Sequence, residues 1–253
     1  MSLHVEISGH GPDLALLHGW GMHGGIWDGV RADLAAHFRV HVVDLPGYGT
    51  SPACLPYDLD ELTRRVAQSL PSQVGVIGWS LGGLVAQRLA LQQPQQVAKL
   101  MLVGTSPCFV QRADWSCGIG AEVLRIFADE LERDYATTLL RFLSLQVRNG
   151  ESVRVVLKTL RVALFARGVP DARVLQAGLD VLLDTDLRAA ANGFAMPVSI
   201  VHGERDTLAP AEAAQWLAHQ LPDARLSVVP GCAHAPFLSH PEIFLQAVME
   251  FFP

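Results

Sequence analysis

A serine between two glycines is the strongest chemical signal in the chain. Residues 78–82 read Gly-Trp-Ser-Leu-Gly, directly after the apolar run Val74–Ile77 and directly before a helical pattern that begins at Leu81. Glycines on both sides of Ser80 let the chain turn sharply from a strand into a helix, which leaves the serine hydroxyl exposed above a sheet. Ser80 is therefore predicted to be a nucleophile for acyl transfer.

A serine hydroxyl is a weak nucleophile, so it needs a base and a group that orients the base. His234 follows the last apolar run, and Asp206 lies in the loop after the run Val198–Val201. The order Ser80, Asp206, His234 is the one that accompanies this serine turn, and it differs from the order in the serine proteases. Asp44 is the alternative acid, but we expect it to brace the turn that follows it.

Acyl transfer also needs donors for the oxygen that becomes negatively charged. The residue after the nucleophile, Leu81, would supply one backbone N–H. The second is expected from the loop after an early strand. Trp20 lies in such a loop, since the apolar run Leu14–Leu17 leads into His-Gly-Trp-Gly.

Short apolar runs alternate with helical patterns, which predicts an α/β protein with a parallel sheet wrapped by helices. The predicted strands are Leu14–Leu17, Val40–Val43, Val74–Ile77, Leu100–Val103, Val198–Val201 and Leu226–Val229, with His4–Ile7 as an edge strand. The helical patterns between them are Ile26–His37, Asp58–Leu70, Leu81–Gln92, Ala211–Gln220 and Glu242–Phe251. The runs are apolar throughout, as expected for strands covered on both faces.

One segment interrupts this alternation. Residues 108–195 contain no predicted strand, only helical patterns such as Ala121–Leu131, Tyr135–Gln146 and Val153–Ala166. We expect a helical lid over 108–195, inserted into a single core made of residues 1–107 and 196–253.

Composition excludes several classes of protein. The 253 residues are 50% hydrophobic and carry a net charge of −6, which argues against a nucleic-acid partner. No apolar run approaches the ~18 residues that span a bilayer, and no signal peptide is visible. Four cysteines without CxxC spacing favour a reduced, cytoplasmic protein. No metal or cofactor motif is present, so we expect neither.

Together these motifs resemble the α/β-hydrolase superfamily, and the resemblance implies an α/β-hydrolase fold. A narrower similarity links the chain to the pimeloyl-[acyl-carrier protein] methyl ester carboxylesterases of bacterial biotin synthesis. The stretches that carry it are residues 16–21, 78–86, 106–109, 141–146 and 233–241. By this resemblance the segment Phe142, Leu143, Ser144, Leu145 and Gln146 lines an acyl channel above Trp20, Ser80 and Leu81. The alternative is ordinary packing within the lid.

The charge of the predicted lid is unusual. Residues 141–173 hold seven basic and two acidic side chains, a net +5, which leaves −11 for the rest. Arg154, Lys158 and Arg161 fall on one face of a helical pattern. The simpler interpretation is that this face is only exposed to solvent. The resemblance implies instead that these residues and Arg141 dock an acidic acyl carrier protein. Thr137 departs from the family, which has an arginine there.

The expected function is hydrolysis of the methyl ester of pimeloyl-carrier protein by a cytoplasmic monomer. Activity should fall in acid as His234 becomes protonated, since a free imidazole titrates near ~6.5. The alternatives are a general short-acyl esterase, a thioesterase or a C–C bond hydrolase on the same scaffold, which the three catalytic residues do not distinguish. A hydrolase-fold receptor that binds a ligand without turnover is a further alternative.

Overall fold

A seven-stranded sheet organises the chain in this computed structural model, which describes residues 2–168 and 170–252. Within these residues the strands are β1 (Val5–Ser8), β2 (Asp13–Leu17), β3 (Arg39–Val43), β4 (Val74–Trp79), β5 (Val97–Val103), β6 (Val198–Gly203) and β7 (Ala224–Val229). Their spatial order is β1-β3-β2-β4-β5-β6-β7. Only β1 is antiparallel to its neighbour in this described sheet.

Helices cover both faces of the sheet, as a mostly parallel sheet requires. Those described are α1 (Asp28–Ala35), α2 (Leu59–Ser69), α3 (Leu81–Gln92), α4 (Ala121–Gln146), α5 (Val153–Ala166), α6 (Ala172–Asp184), α7 (Ala211–Gln220), α8 (Pro236–Ser239) and α9 (Pro241–Phe251). Two 3₁₀ helices lie at Gly24–Trp27 and Arg188–Gly193. None of the helices in these described residues combines the length and hydropathy needed to span a bilayer.

The register of the sheet brings distant loops to one edge. Leu17 pairs with both Val43 and Gly78, and Val103 pairs with both Trp79 and Val201. The carboxyl ends of β2 to β6 therefore meet, so the segments that follow them, including Ser80, lie close together.

The helices α4 to α6 lie between β5 and β6 in the chain. Each has an apolar face; in α5, Val156, Leu160 and Leu164 are four residues apart and buried. These faces join the same continuous hydrophobic core as the strands. Asp134 has a non-helical backbone (φ −153°, ψ 83°) that kinks α4, and its carboxylate accepts the N–H of Thr137. The kink coincides with the predicted boundary between two helices.

The predicted helix Ile26–His37 is wrong at both ends. The helical segment begins with the 3₁₀ turn Gly24–Trp27. The His23 side chain accepts the N–H of Gly25 and so caps the first turn of this segment. Regular α-helix runs only over Asp28–Ala35. Short 3₁₀ turns are common at helix entries, and hydrophobic periodicity does not reveal them.

Candidate active site

Ser80 lies at a strained turn between β4 and α3. Its backbone has φ 54° and ψ −119°, a conformation that residues other than glycine rarely adopt. The turn persists because its backbone is hydrogen-bonded on both sides: Ser80 N–H donates to the Val103 carbonyl (3.1 Å), and the Thr105 hydroxyl donates to the Ser80 carbonyl (2.8 Å). A Cβ on Gly82 would lie 2.5 Å from two backbone oxygens, so the close approach requires glycine.

Asp206 and His234 form a buried hydrogen-bonded pair. His234 Nδ1 lies 2.8 Å from Asp206 Oδ2, while Asp206 Oδ1 accepts the N–H groups of Leu208 and Ala209, each at 2.9 Å. Burial alone would raise the pKa of Asp206, but the charge of His234 and its hydrogen bond outweigh burial and hold that pKa below its usual range. The ionised carboxylate therefore keeps the proton of His234 on Nδ1, which leaves Nε2 as the basic nitrogen.

The structure brings His234 beside the serine turn. The indole N–H of Trp79, the residue before Ser80, donates to the carbonyl oxygen of His234 (2.9 Å). His234 Nε2 is buried and has no hydrogen-bond partner among the described residues. Catalytic hydrogen bonds are often absent without substrate and form only in the reacting complex. Nε2 is therefore left available to accept a proton, on a histidine that is bonded to the residue before Ser80.

The loop that carries Trp20 is positioned by His18. Leu45 N–H donates to His18 Nε2 (2.9 Å), so the ring proton is on Nδ1 and is donated to the Gly19 carbonyl (2.8 Å). Complete burial lowers the pKa of His18 to about 4, which keeps the ring neutral. From the sequence alone, His18 is only part of the His-Gly-Trp-Gly motif and is assigned no role. Its position directly after β2 is the feature of the sequence that could have indicated one.

Leu81 and the loop of Trp20, the two predicted sources of oxyanion donors, both adjoin Ser80. Leu81 is the first residue of α3, where an N–H has no acceptor inside the helix. Gly19, the neighbour of Trp20, packs against Ser80: a Cβ on Gly19 would lie 3.1 Å from the Ser80 Cβ. The first residue of α3 and the loop that carries Trp20 thus both adjoin the serine, which keeps their N–H groups as candidates for the donors that an oxyanion requires.

Aromatic side chains of the α4 segment cover the Trp20 loop. The rings of Phe142 and Trp20 meet edge to face with centroids 4.6 Å apart, and the Trp20 indole N–H donates to the carbonyl of Leu175 in α6 (2.8 Å). Leu143 and Gln146 are buried, and Leu145 is half-buried against the core. Side chains of α4 therefore pack over the loop that carries Trp20.

Ser144 departs from the predicted channel. Its side chain is exposed, and its hydroxyl donates to the Leu140 carbonyl one turn earlier (3.0 Å). The other four residues of the segment are wholly or partly buried, whereas helical periodicity turns Ser144 outward. The resemblance predicted all of residues 142–146 as channel residues, but a helix cannot point five consecutive side chains into one channel.

Asp44 has a different role from Asp206. Its buried carboxylate accepts the N–H groups of Gly24 (2.7 Å) and Thr50 (3.0 Å), as expected for a residue that braces a turn. Arg167, just after α5, contacts both Asp44 (3.3 Å) and Glu6 of β1. Burial opposes ionisation, but the hydrogen bonds from Thr50 and Gly24 prevail and lower the pKa of Asp44.

The basic residues predicted for docking fall into two groups. Arg154, Lys158 and Arg161 are exposed on α5 and form no ion pair with any residue that the structure describes. Arg141 is also exposed, but it pairs with Glu130 at 2.6 Å within α4. The positive charge open to a partner therefore lies mainly on α5.

The described residues form no cluster of metal ligands. Across residues 2–168 and 170–252, no group of three or more His, Cys, Asp or Glu side chains is arranged to hold a metal ion. The polar groups at the serine turn are instead an imidazole, a carboxylate and backbone N–H donors.

Comparison with known proteins identifies the class. The model of the alpha/beta hydrolase family matches residues 14–247. An esterase from Exiguobacterium antarcticum has the same fold, with a TM-score of 0.89 at 24% identity, and covers 98% of this chain and 94% of its own. A hydrolase from Pseudomonas aeruginosa aligns with a TM-score of 0.84 at 28% identity, over 98% and 93% of the two chains. The chain belongs to the alpha/beta hydrolase family, which confirms the predicted fold class.

Within this family the similarity is more specific. The pimeloyl-[acyl-carrier protein] methyl ester esterase of Nitrosomonas europaea is 50% identical over 97% of both chains. The enzymes of the same name from Nitrosospira multiformis and Chromobacterium violaceum are 45% and 44% identical, each over 99% of this chain and 98% of its own. The chain is a member of the family that these esterases represent, as the sequence motifs predicted.

Proposed function

We propose that this protein hydrolyses the methyl ester of pimeloyl-[acyl-carrier protein], releasing methanol and pimeloyl-carrier protein for biotin synthesis. The observation that carries the proposal is the buried Asp206–His234 pair beside the strained turn of Ser80, with His234 Nε2 left without a partner in the described structure. Relatives that carry this enzyme name are 42–50% identical over nearly the whole chain. The predicted enzyme class, a carboxylic ester hydrolase, agrees with both.

The first half of the reaction transfers the acyl group to the enzyme. Ser80 Oγ attacks the ester carbonyl while His234 Nε2 accepts its proton, and Asp206 stabilises the resulting imidazolium. The N–H groups of Trp20 and Leu81 stabilise the oxyanion. His234 then protonates the departing methoxide, so methanol leaves and the pimeloyl group remains on Ser80.

The second half regenerates the serine. His234 Nε2 takes a proton from water, whose oxygen attacks the acyl-enzyme carbonyl. The tetrahedral intermediate collapses, Ser80 Oγ recovers its proton from His234, and the free carboxylate of pimeloyl-carrier protein leaves. No group beyond ester, water and these side chains is needed.

Residues 108–195 serve in this proposal as a lid above the serine. Phe142 packs on Trp20, and the carbonyl of Gln146 accepts the N–H of His234 (3.1 Å). With Leu143 and half-buried Leu145, these residues form the apolar wall that holds the pimeloyl chain. Ser144 is not part of it.

The carrier protein docks on α5. Acyl carrier proteins are acidic, and Arg154, Lys158 and Arg161 offer unpaired positive charge within the described surface. A groove of about 750 Å³ between α5 and the start of α1 is lined by basic and apolar side chains of α5, including Arg154 and Lys158, and by Asp28 of α1. Two of its apolar residues, Val155 and Val162, are 66% and 65% exposed. Charge orients the partner and apolar contact holds it.

The test compares two substrates in matched variants. Arg154→Glu/Lys158→Glu should raise KM for methyl pimeloyl-carrier protein at least about tenfold, while kcat/KM for a free p-nitrophenyl ester stays unchanged. The control Arg225→Glu reverses a charge near the start of β7, away from α5, and it should leave both substrates unaffected. Equal efficiency of the wild type toward both substrates would instead support a general esterase.

A genetic experiment separates the enzyme from a receptor. The gene should restore growth of a biotin auxotroph that lacks its own esterase, and Ser80→Ala should not, because loss of the nucleophile in a comparable triad costs ~10⁶ in kcat. Growth with Ser80→Ala would favour a ligand receptor. The proposal also places a monomer in the cytoplasm with its carrier protein, which light scattering and cell fractionation check.

A further inference from the structure

His202 is a buried histidine that the proposed mechanism does not use. It lies in β6, four residues before Asp206, with no exposed surface. Its Nε2 is 2.6 Å from the carbonyl oxygen of Ala209 and 3.5 Å from Asp206 Oδ2. The ring therefore lies inside the loop that carries Asp206, and it approaches the same carboxylate oxygen, Oδ2, that contacts His234 Nδ1.

The contacts of His202 determine which nitrogen carries the proton. Nε2 faces two acceptors, a carbonyl and a carboxylate oxygen, so it is the N–H nitrogen. Nδ1 is buried without a partner in the described structure, and a proton placed there would lack an acceptor. The charged or titratable groups that act on the ring are Asp206, His234 and Glu212. Burial prevails over the two carboxylates and lowers the pKa of His202.

The Asp206 loop depends on Ala209. The N–H groups of Leu208 and Ala209 fix Asp206 Oδ1, which leaves Oδ2 directed at His234. The carbonyl of Ala209 is the group that His202 holds. The carbonyl and the N–H of Ala209 share one Cα, so a carbonyl held by β6 restricts where the N–H donor of the carboxylate can lie.

We propose that His202 is a positioning residue: its neutral Nε2–H donates to the Ala209 carbonyl and thereby keeps Asp206 Oδ2 on His234 Nδ1. Without this donor the Ala209 carbonyl is buried and unpaired, the loop relaxes, and Asp206 no longer holds the imidazole at the serine. The inference rests on the proposed catalytic roles of Asp206 and His234.

Two substitutions at one position separate positioning from packing. His202→Phe keeps a planar aromatic ring, of somewhat larger volume, but has no donor. His202→Gln places an amide N–H near the position of Nε2. With a p-nitrophenyl ester, His202→Phe should lower kcat by about 10- to 100-fold at nearly unchanged KM, since misplacement of about 1 Å costs up to 100-fold. In this variant the fall of kcat/KM on the acid side of the pH profile (the acid limb) should move to lower pH. The reason is that a protonated His234 held less closely by Asp206 releases its proton more readily. His202→Gln should restore most of kcat and the original limb.

A matched control and a second readout keep the outcome decisive. His10→Phe, on an exposed loop, should change nothing. A His202→Phe variant with wild-type kcat, or one whose loss follows only its unfolded fraction with an unshifted acid limb, would overturn the proposal.

Histidine nitrogen NMR of the unmutated protein tests the same idea without any variant. His202 should remain an Nε2–H tautomer from about pH 5 to 8, the range in which a free histidine becomes charged. A titrating His202, or the Nδ1–H tautomer, contradicts the proposal. If the wild type hydrolyses no ester, the proposed function fails, while the spectra still decide the state of His202.

Discussion

The backbone N–H of His234 donates to the carbonyl oxygen of Gln146, the last residue of α4, over 3.1 Å. A second bond joins the same two segments, from Glu151 N–H to the Gly231 carbonyl (2.9 Å). The connection between α4 and α5 is therefore attached to the loop that carries the proposed base. Asn149 in this connection has φ 63°, a conformation that costs energy and persists because its surroundings impose it.

Gly150→Ala should disturb the base without unfolding the protein. A Cβ on Gly150 would lie 2.9 Å from the Ala233 Cβ, so it pushes the loop of His234 away from the α4–α5 connection. We expect kcat for a small ester to fall by about 10- to 100-fold. Gly120→Ala is the matched control, since a Cβ there meets no atom within 4 Å. Equal kcat in the two variants would show that the connection does not position His234.

Ser80→Gly should be more stable than Ser80→Ala, although both lose activity. The backbone of residue 80 has φ 54°, which glycine adopts without the steric cost that a Cβ imposes. The difference in the free energy of unfolding should be about 1 kcal/mol in urea titrations, after the greater entropy of unfolded glycine is subtracted. Identical midpoints and slopes would mean that the serine turn is not strained.

His18 should make the fold sensitive to acid. Burial lowers its pKa from the ordinary 6.5 to about 4, so the unfolded chain binds a proton that the folded chain refuses in this range. Stability from this group is complete above pH 6.5 and is lost as the pH falls toward 4, by about 3 kcal/mol in total. In His18→Gln, which can still accept the Leu45 N–H, the decline of unfolding free energy should be shallower. His10→Gln, at an exposed position, should follow the wild type, and a His18→Gln profile that does the same counts against the assignment.

Arg167→Met should destabilise the protein through Asp44. The guanidinium contacts Asp44 and Glu6, and its removal leaves the buried Asp44 carboxylate with only the hydrogen bonds from Gly24 and Thr50. Breaking a buried pair costs ~3 kcal/mol or more in the free energy of unfolding. Arg173→Met, at an exposed position of α6, should lower the free energy of unfolding by under about 0.5 kcal/mol. Calorimetry of both variants measures the difference. A loss at Arg167 no larger than at Arg173 would mean that the pair is only a surface contact.

Much of the sheet could be predicted from the sequence because its strands are buried on both faces. The run Val198–Val201 was identified within two residues of the observed strand Val198–Gly203. The spatial order of the strands was not predictable, since it depends on pairing between segments far apart in the chain. No helix was specified over residues 172–184, where Gly178 interrupts the pattern; in the structure this glycine lets α6 approach Trp20, 2.7 Å from where a Cβ would lie.

The catalytic roles proposed for Ser80, Asp206 and His234 could be predicted from the sequence because each residue follows a strand at the carboxyl edge. His18 and His202 follow or end strands too, but their roles depend on what surrounds them. The role of His18 is evident only from its contact with the Leu45 N–H, and that of His202 only from its contact with the Ala209 carbonyl. No pattern in the sequence predicts either contact. The same limit applies to Arg167, which counts as a lid cation in the sequence and is an internal counter-ion in the structure.

The ion pairing of Arg167 with Glu6 and Asp44 changes the electrical character of the molecule. With Arg167 neutralised, positive charge on α5 is concentrated between Arg154 and Arg161, about 10 Å apart along the helix axis. Because physiological salt screens charges beyond ~8 Å, this narrow group of cations would act only late in an encounter. In the proposed docking it would therefore determine the angle at which the acidic carrier protein arrives more than how often one arrives.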